Sequence, residues 1–316
     1  MDLLYVMYMG GPDNIDGIEE FLFNLFSDRD IIDFKIGGLQ KYLAKIIAKS
    51  RSKKVAPEYI KMGCGSPQTK YLIKLLEKVK VYYKEITKRE LETEIGMCYY
   101  KPYIEETASK LQNGDYENIY IMTMYPQYSY TTSGVCFKRL FNATNIKPIN
   151  KSYKVIPFWH LSEEYNKCIV KRIKSASERL GVELENCHLL YSAHSLPEYT
   201  LSKGDVYVEQ LKAQIDLICS MLGSVKNYEL AFQSRTGPIK WLGPETKTVI
   251  ESYVEKRVDN IIVVPISFVS DHIETLIELD EQYIKFAKEN GLNIERIESL
   301  NDSDDFAKAV VNILRG

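Results

Sequence analysis

Histidine and tryptophan are scarce in this chain, four and two among 316 residues, and several familiar patterns are missing altogether. No apolar run reaches the roughly 18 residues of a membrane-spanning helix, and Met1-Asp2-Leu3-Leu4-Tyr5 lacks a cationic stretch ahead of an apolar one. Neither a membrane span nor a secretory signal is expected, and a cytoplasmic protein follows. The six cysteines (Cys64, Cys98, Cys136, Cys168, Cys187, Cys219) include no CxxC pair, which argues against a disulfide framework and a zinc site and for reduced, mostly packed thiols. H-E-x-x-H and histidine pairs at i, i+4 are absent, so a tightly held zinc is not expected. Gly10-Gly11-Pro12 and Gly63-Cys64-Gly65-Ser66-Pro67 match neither G-x-G-x-x-G nor G-x-x-x-x-G-K-[ST]; both read as tight turns at strand ends, and nucleotide binding falls in rank. The net charge is -2, with Lys and Arg spread along the whole length. Without a basic block the chain has no footprint for nucleic acid, and a small ligand is expected.

Short apolar runs alternate with amphipathic stretches, placing strands near 2-8, 93-98, 118-124, 153-158, 187-193, 228-233, 260-266 and 293-298. This is the rhythm of an α/β fold, a parallel sheet with helical crossovers. A mass of 36.5 kDa exceeds one typical core and suggests two domains of about 150 residues each. Two internal echoes agree: the segment from Leu3 to Pro12 resembles that from Leu189 to Pro197, and Asn118 to Ser129 has the strand-then-polar-loop shape of Asn260 to Asp271. The expectation is two similar Rossmann-like domains, each a parallel β-sheet flanked by helices, with the ligand cleft between them. They would span 1-148 and 149-316, joined through the polar stretch around Asn145, Lys147, Pro148 and Asn150, with the last helix free to pack back on the N-terminal domain. Leu39, Tyr42, Leu43, Ile46 and Ile47 have the spacing of a helix with one buried face. In the stretch from Ile18 to Phe26, positions 18, 21, 22 and 25 form another stripe, leaving Phe23 off it as an exposed apolar lip.

Two histidines follow apolar runs: His194 after Leu189-Leu190-Tyr191-Ser192-Ala193, and His272 in Asp271-His272-Ile273-Glu274 after Ile261 to Ile266. Polar groups at the carboxyl ends of buried strands are where open α/β sheets build their sites. If a helix starts near Asp271, Glu274 and Glu278 share one face close to His272, and two carboxylates with an imidazole can pass a hard cation or take up protons. The plainer alternative makes Asp271 an N-cap, Glu274 its capping-box partner and Glu278 a surface charge. Capping does not need the imidazole of His272, which favours chemistry. Ser195 lacks the G-x-S-x-G setting of a serine nucleophile, and His194 taken alone could equally be a hydrogen-bonded core residue. Tyr125 to Tyr130, Trp241 and Phe268, beside predicted strand ends, could wall a flat apolar pocket, although a Tyr-, Lys- and Ile-rich composition explains many of the 23 tyrosines.

Taken together these segments resemble the ferrochelatase family, which inserts ferrous iron into a porphyrin at the end of haem synthesis. The resemblance runs nearly end to end, and Ser-Ala-His-Ser-Leu-Pro (192-197), Trp-Leu-Gly-Pro (241-244) and Ser-Asp-His-Ile-Glu-Thr (270-275), in this order, are its most specific parts. It implies that His194 and Glu274 are the catalytic pair, supported by His272 and Asp271, and that His194, Glu274 and Glu278 handle the metal. It implies too that Met9, Tyr99, Tyr125, Trp241 and Phe268 line the macrocycle while Arg51, Tyr59 and Ser66 hold its propionates. The substrates would be protoporphyrin IX and Fe2+, protoporphyrin being favoured over coproporphyrin because Asp13, not Tyr, follows Pro12. Insertion requires ring distortion, removal of two pyrrole protons and stripping of water from iron. The chain departs from the family at Gln282, where a third carboxylate is usual, at Cys98, where animal enzymes have Arg, and at Phe232, where Trp is frequent. Tyr130 at a cluster-ligand position and the end at Arg315-Gly316 imply no [2Fe-2S] cluster. A monomer is expected, with room for peripheral contact with the inner face of a membrane through the apolar lip. Competing readings are a cobalt or nickel chelatase acting on another tetrapyrrole and a non-enzymatic porphyrin or haem carrier.

Overall fold

In the computed structural model, which describes residues 1-144, 152-223, 225, 227-235, 237 and 239-316, each apolar run becomes a strand. They are β1 (Asp2–Tyr8), β2 (Leu91–Met97), β3 (Asn118–Thr123), β4 (Ser152–Ile156), β5 (His188–His194), β6 (Asn227–Gln233), β7 (Ile261–Pro265) and β8 (Ile294–Arg296). They form two four-stranded sheets with the orders β2-β1-β3-β4 and β6-β5-β7-β8, all pairings parallel. Each sheet has the same internal order. The sequence echoes therefore fall on corresponding strands, β1 with β5 and β3 with β7.

Parallel neighbours cannot be joined by tight hairpins, so helices cross between them and cover both faces. Leu3, Leu4, Tyr5, Val6 and Met7 of β1 are at most 1 % exposed, as are Ile261 to Val264 of β7. On one side of the first sheet Leu3, Tyr5, Met7, Ile119 and Ile121 pack with Val135, Phe137 and Leu140 of the helix Val135–Thr144. On the second sheet Leu190, Ala231, Ile261 and Val263 pack with Val249, Ile250 and Tyr253 of the helix Thr246–Lys256. Burying each such side chain contributes about 1.5–3 kcal/mol.

The chain divides into two units, Met1–Trp159 with Ile313–Gly316, and His160–Asn312. The join expected at 148/149 falls among 145-151, outside the described residues, and the division comes later because β4 still belongs to the first sheet. Met122 is in register with Ile156, and the Trp159 indole donates to the Thr123 carbonyl at 2.9 Å. The end of the chain is tied into the first unit, where Lys154 Nζ donates to the Leu314 carbonyl at 3.1 Å.

Three expectations are corrected. The helix Gln40–Lys61 buries Gln40, Ala44, Ala48 and Tyr59, while Leu39, Tyr42 and Ile46 are 64, 69 and 51 % exposed. The helix packs through small residues and through Gln40, whose amide donates to the carbonyls of Phe26 and Ile32 and accepts from the Phe34 amide. Gln40 thereby satisfies backbone groups at and beyond the end of the helix Gly17–Ser27, something a periodicity of bulky apolar residues cannot register. Phe23 is only partly exposed. The Gly63 to Pro67 turn follows this long helix, not a strand. It closes on the turn after β1: Ser66 N–H donates to the Pro12 carbonyl at 2.7 Å, and a Cβ on Gly65 would stand 2.2 Å from the Asp13 carbonyl oxygen. Only glycine permits that approach.

Candidate active site

β5 and β7 are hydrogen-bonded neighbours, so the residues just beyond them are brought together. His194, the last residue of β5, is held on both sides of its backbone: its N–H donates to Ser267 Oγ at 2.9 Å and its carbonyl accepts from the Tyr207 hydroxyl at 3.1 Å. The loop after β7 carries Phe268, Asp271 and His272 and leads into a π-type helix, Glu274–Ile284. Long π-helical stretches are rare and concentrate at functional sites. Glu274, its first residue, places Oε2 3.0 Å from His194 Nδ1 and 3.6 Å from His272 Nε2. The rings of Phe268 and His272 meet edge to face with centroids 4.6 Å apart.

The protonation pattern follows from these partners. A carboxylate only accepts, so His194 carries its hydrogen on Nδ1 and the neutral ring keeps its lone pair on Nε2. His272 Nδ1 likewise donates to the Ser270 carbonyl at 3.0 Å. Burial works to lower the pKa of His194, but the Glu274 carboxylate beside it, aided by Glu278, raises it above the ordinary value. Burial works to raise Glu274, yet His194 and His272 hold it well below the carboxylate range. The pair can thus take a proton at Nε2 while the carboxylate stabilises the resulting imidazolium.

Asp271 and Glu274 do not form the capping box that spacing allowed, since Glu274 turns to the histidines instead. Asp271 Oδ1 accepts from Ser299 Oγ at 2.6 Å and Thr275 Oγ1 at 3.1 Å, and Arg296 lies 3.2 Å away. Asn301 holds it reciprocally, donating to Oδ2 at 2.9 Å and accepting from the Asp271 N–H at 2.8 Å. Held in this way, the Asp271 carboxylate fixes the start of the helix. Burial works to raise its pKa, but Arg296, Asn301, Ser299 and Thr275 together lower it.

Glu278 is also occupied. Its Oε1 accepts from the Ser234 N–H and the Tyr283 hydroxyl, each at 2.8 Å, and its Oε2 accepts from Gln233 Nε2 at 3.1 Å and from Ser234 Oγ. Of the three residues expected to handle the metal, Glu278 is thus the one whose carboxylate already accepts four hydrogen bonds. Among the described residues, no three His, Cys, Asp or Glu side chains converge as a metal cage.

In the first unit, Met9 N–H donates to the Tyr125 hydroxyl at 2.9 Å, and Arg51 lies over the Phe26 ring at 5.6 Å. Met9, Arg51 and Tyr125 in the first unit, and Trp241 and Phe268 in the second, are partly exposed. Tyr99, Tyr59 and Ser66 are not, at 1, 5 and 9 % exposure. The Tyr99 hydroxyl donates to Asp28 at 2.9 Å and its ring lies under Arg139, so it is a core residue where a lining residue was expected. Cys98 and Cys136 are a buried thiol pair, Sγ to Sγ 3.4 Å, that no spacing rule marks. Gln233, Ser234, Tyr283, Arg296 and Asn301 were also missed. For Gln233 and Ser234 the signal was present, because they end β6 as His194 ends β5.

A parallel α/β fold whose second sheet ends in a coupled imidazole and carboxylate defines a protein of the chelatase class. Sirohydrochlorin chelatase SirB from Bacillus subtilis subspecies spizizenii, solved with cobalt, has this fold at a TM-score of 0.55 and 13% identity, covering 99% of this chain and 93% of that one. SirB from Bacillus subtilis with Fe3+ gives 0.54 and 16%, over 99% and 94%. The chain belongs to the ferrochelatase family, whose profile matches residues 4–316, and is a metal chelatase, a lyase of haem synthesis. It is 38% identical to ferrochelatase of Aquifex aeolicus over 97% of this chain and 96% of that protein, and 35% identical to that of Gloeothece citriformis over 98% and 81%.

Proposed function

We propose that this chain inserts Fe2+ into protoporphyrin IX, with His194 Nε2 accepting a pyrrole proton and Glu274 stabilising the imidazolium and meeting the incoming iron. The observation that carries this reading is the 3.0 Å contact between His194 Nδ1 and Glu274 Oε2, which leaves Nε2 as the basic nitrogen. His272 Nε2 stands 3.6 Å from the Glu274 carboxylate on its other side, and Asp271 sets the helix start. Trp241 and Phe268 supply apolar contacts to the ring from the second unit. Protein mixed anaerobically with protoporphyrin and Fe2+ should form haem in large excess over protein. Stoichiometric uptake without turnover would instead describe a carrier.

The exposed stripe of Leu39, Tyr42 and Ile46 shares its helix with Lys41, Lys45 and Lys49. In this reading an apolar ridge beside cations suits peripheral docking on an anionic bilayer, where a poorly water-soluble porphyrin would be met. The chain should sediment with phosphatidylserine vesicles at low salt and be released by salt, and Ile46→Glu should weaken the association. Equal sedimentation of wild type and variant would sink the idea.

A further inference from the structure

We propose, on the reading that this site inserts iron, that Glu278 is a positioning residue for Glu274 and not a metal ligand, and that Ser234 with Gln233 keeps it so. A carboxylate offers about four lone-pair sites, and Glu278 receives four donors, two on each oxygen. Ligating a cation would require at least one of them to leave.

The geometry behind those donors is built in from the strands. Ser234 follows β6 with φ +66°, in the left-handed region that serine seldom occupies. Its main-chain N–H and its hydroxyl both reach the same carboxylate. Such a conformation persists where the surroundings over-determine it. Gln233, fully buried, gives Nε2 both to Glu278 Oε2 and to the Glu274 carbonyl at 2.9 Å, while its Oε1 accepts from Ser192 Oγ at 2.7 Å. Ser192 in turn meets Thr246 Oγ1 at 2.8 Å. The first turn of the π-type helix is therefore pinned at two points, the Glu274 carbonyl and the Glu278 carboxylate, to the ends of β5 and β6. With either pin removed, Glu274 is no longer held at hydrogen-bond distance from His194.

Positioning and ligation predict opposite kinetics. Ser234→Gly tolerates the backbone conformation and keeps the N–H but removes the hydroxyl, and Tyr283→Phe removes only a phenol oxygen. These two variants, Glu278→Gln and the Ser234→Gly/Glu278→Gln double variant are compared with wild type in anaerobic steady-state assays varying Fe2+, and in calorimetric titrations with Co2+. If Glu278 positions, Ser234→Gly and Glu278→Gln each lower kcat roughly tenfold, the scale of one lost hydrogen bond to a charged group. The KM for Fe2+ and the Kd for Co2+ then stay within about twofold, and the double variant is no slower than Glu278→Gln, because both act through one contact. If Glu278 ligates, Glu278→Gln weakens KM and Kd by an order of magnitude or more, whereas Ser234→Gly, which frees an oxygen, leaves them unchanged or tighter; that result overturns the proposal. Multiplying losses in the double variant overturn it too. Should wild type fail to turn over, the iron-insertion reading falls, and the Co2+ titrations still decide whether Glu278 is a ligand.

Discussion

Replacing His194 by alanine is expected to lower the rate of metal insertion by roughly 10²–10⁴-fold, the span of a lost general base, while porphyrin affinity changes little. The side chain lies within reach of solvent, being 35 % exposed, and the backbone contacts to Ser267 and Tyr207 use only its main chain. Alanine therefore removes the base and leaves the strand end in place. Turnover assays paired with porphyrin fluorescence titration check this. A parallel loss of turnover and binding would mean that the ring only shapes the pocket. The pH profile gives an independent reading. Because the pKa of His194 is raised on balance by Glu274 against the effect of burial, the imidazole is protonated, and useless as a base, to a higher pH than usual. The acidic limb of kcat/KM should accordingly lie above about 6.5. Glu274→Gln removes the raising charge, so any residual activity should show that limb moved to lower pH. A limb that stays put would assign it to another group.

Arg296→Met is expected to destabilise the second unit by about 3–5 kcal/mol, the cost of breaking a buried ion pair from one side. Arg296 is 11 % exposed and joins Asp280 at 2.7 Å and Asp271 at 3.2 Å. Methionine fills much of the volume but leaves the carboxylates without their shared cation. In the folded wild type Asp271 has a depressed pKa: burial opposes the shift, and Arg296 leads the groups that outweigh it. A depressed carboxylate contributes stability above its unfolded pKa of about 3.9 and loses it as pH falls through the folded value. The gap between wild type and Arg296→Met should thus be fully present at neutral pH and shrink below about pH 4, as measured by urea unfolding. A gap under about 1 kcal/mol at pH 7 would show that the carboxylates find other partners or water.

The strands were legible because a parallel sheet covered on both faces demands short continuous apolar runs, and the duplicated order was legible because β1 resembles β5 and β3 resembles β7. His194 and the segment holding Glu274 stand out by their place after such runs, and the family resemblance pairs them. What could not be read was which side chains would be enclosed. In the Gln40–Lys61 helix Tyr42 and Ile46 lie outside and Ala44 and Ala48 lie inside, since helix contact is decided by the neighbour's shape and by the backbone groups that Gln40 satisfies. Tyr99 looked like a pocket wall and is core, because Asp28, 71 residues earlier, takes its hydroxyl.

Sequence alone determined the fold class and the repeated unit, since each depends on local periodicity, while the pairing of His194 with Glu274 was implied by the family resemblance. Tertiary structure decided the state of each carboxylate. Glu274 is free to act because its neighbours are histidines, Asp271 is enclosed by groups from the chain around 296-301, and Glu278 is saturated by the end of β6. His194, the 296-301 stretch and the end of β6 come from distant segments, and the hydrogen-bond capacity of a carboxylate is spent only when the fold brings donors to it.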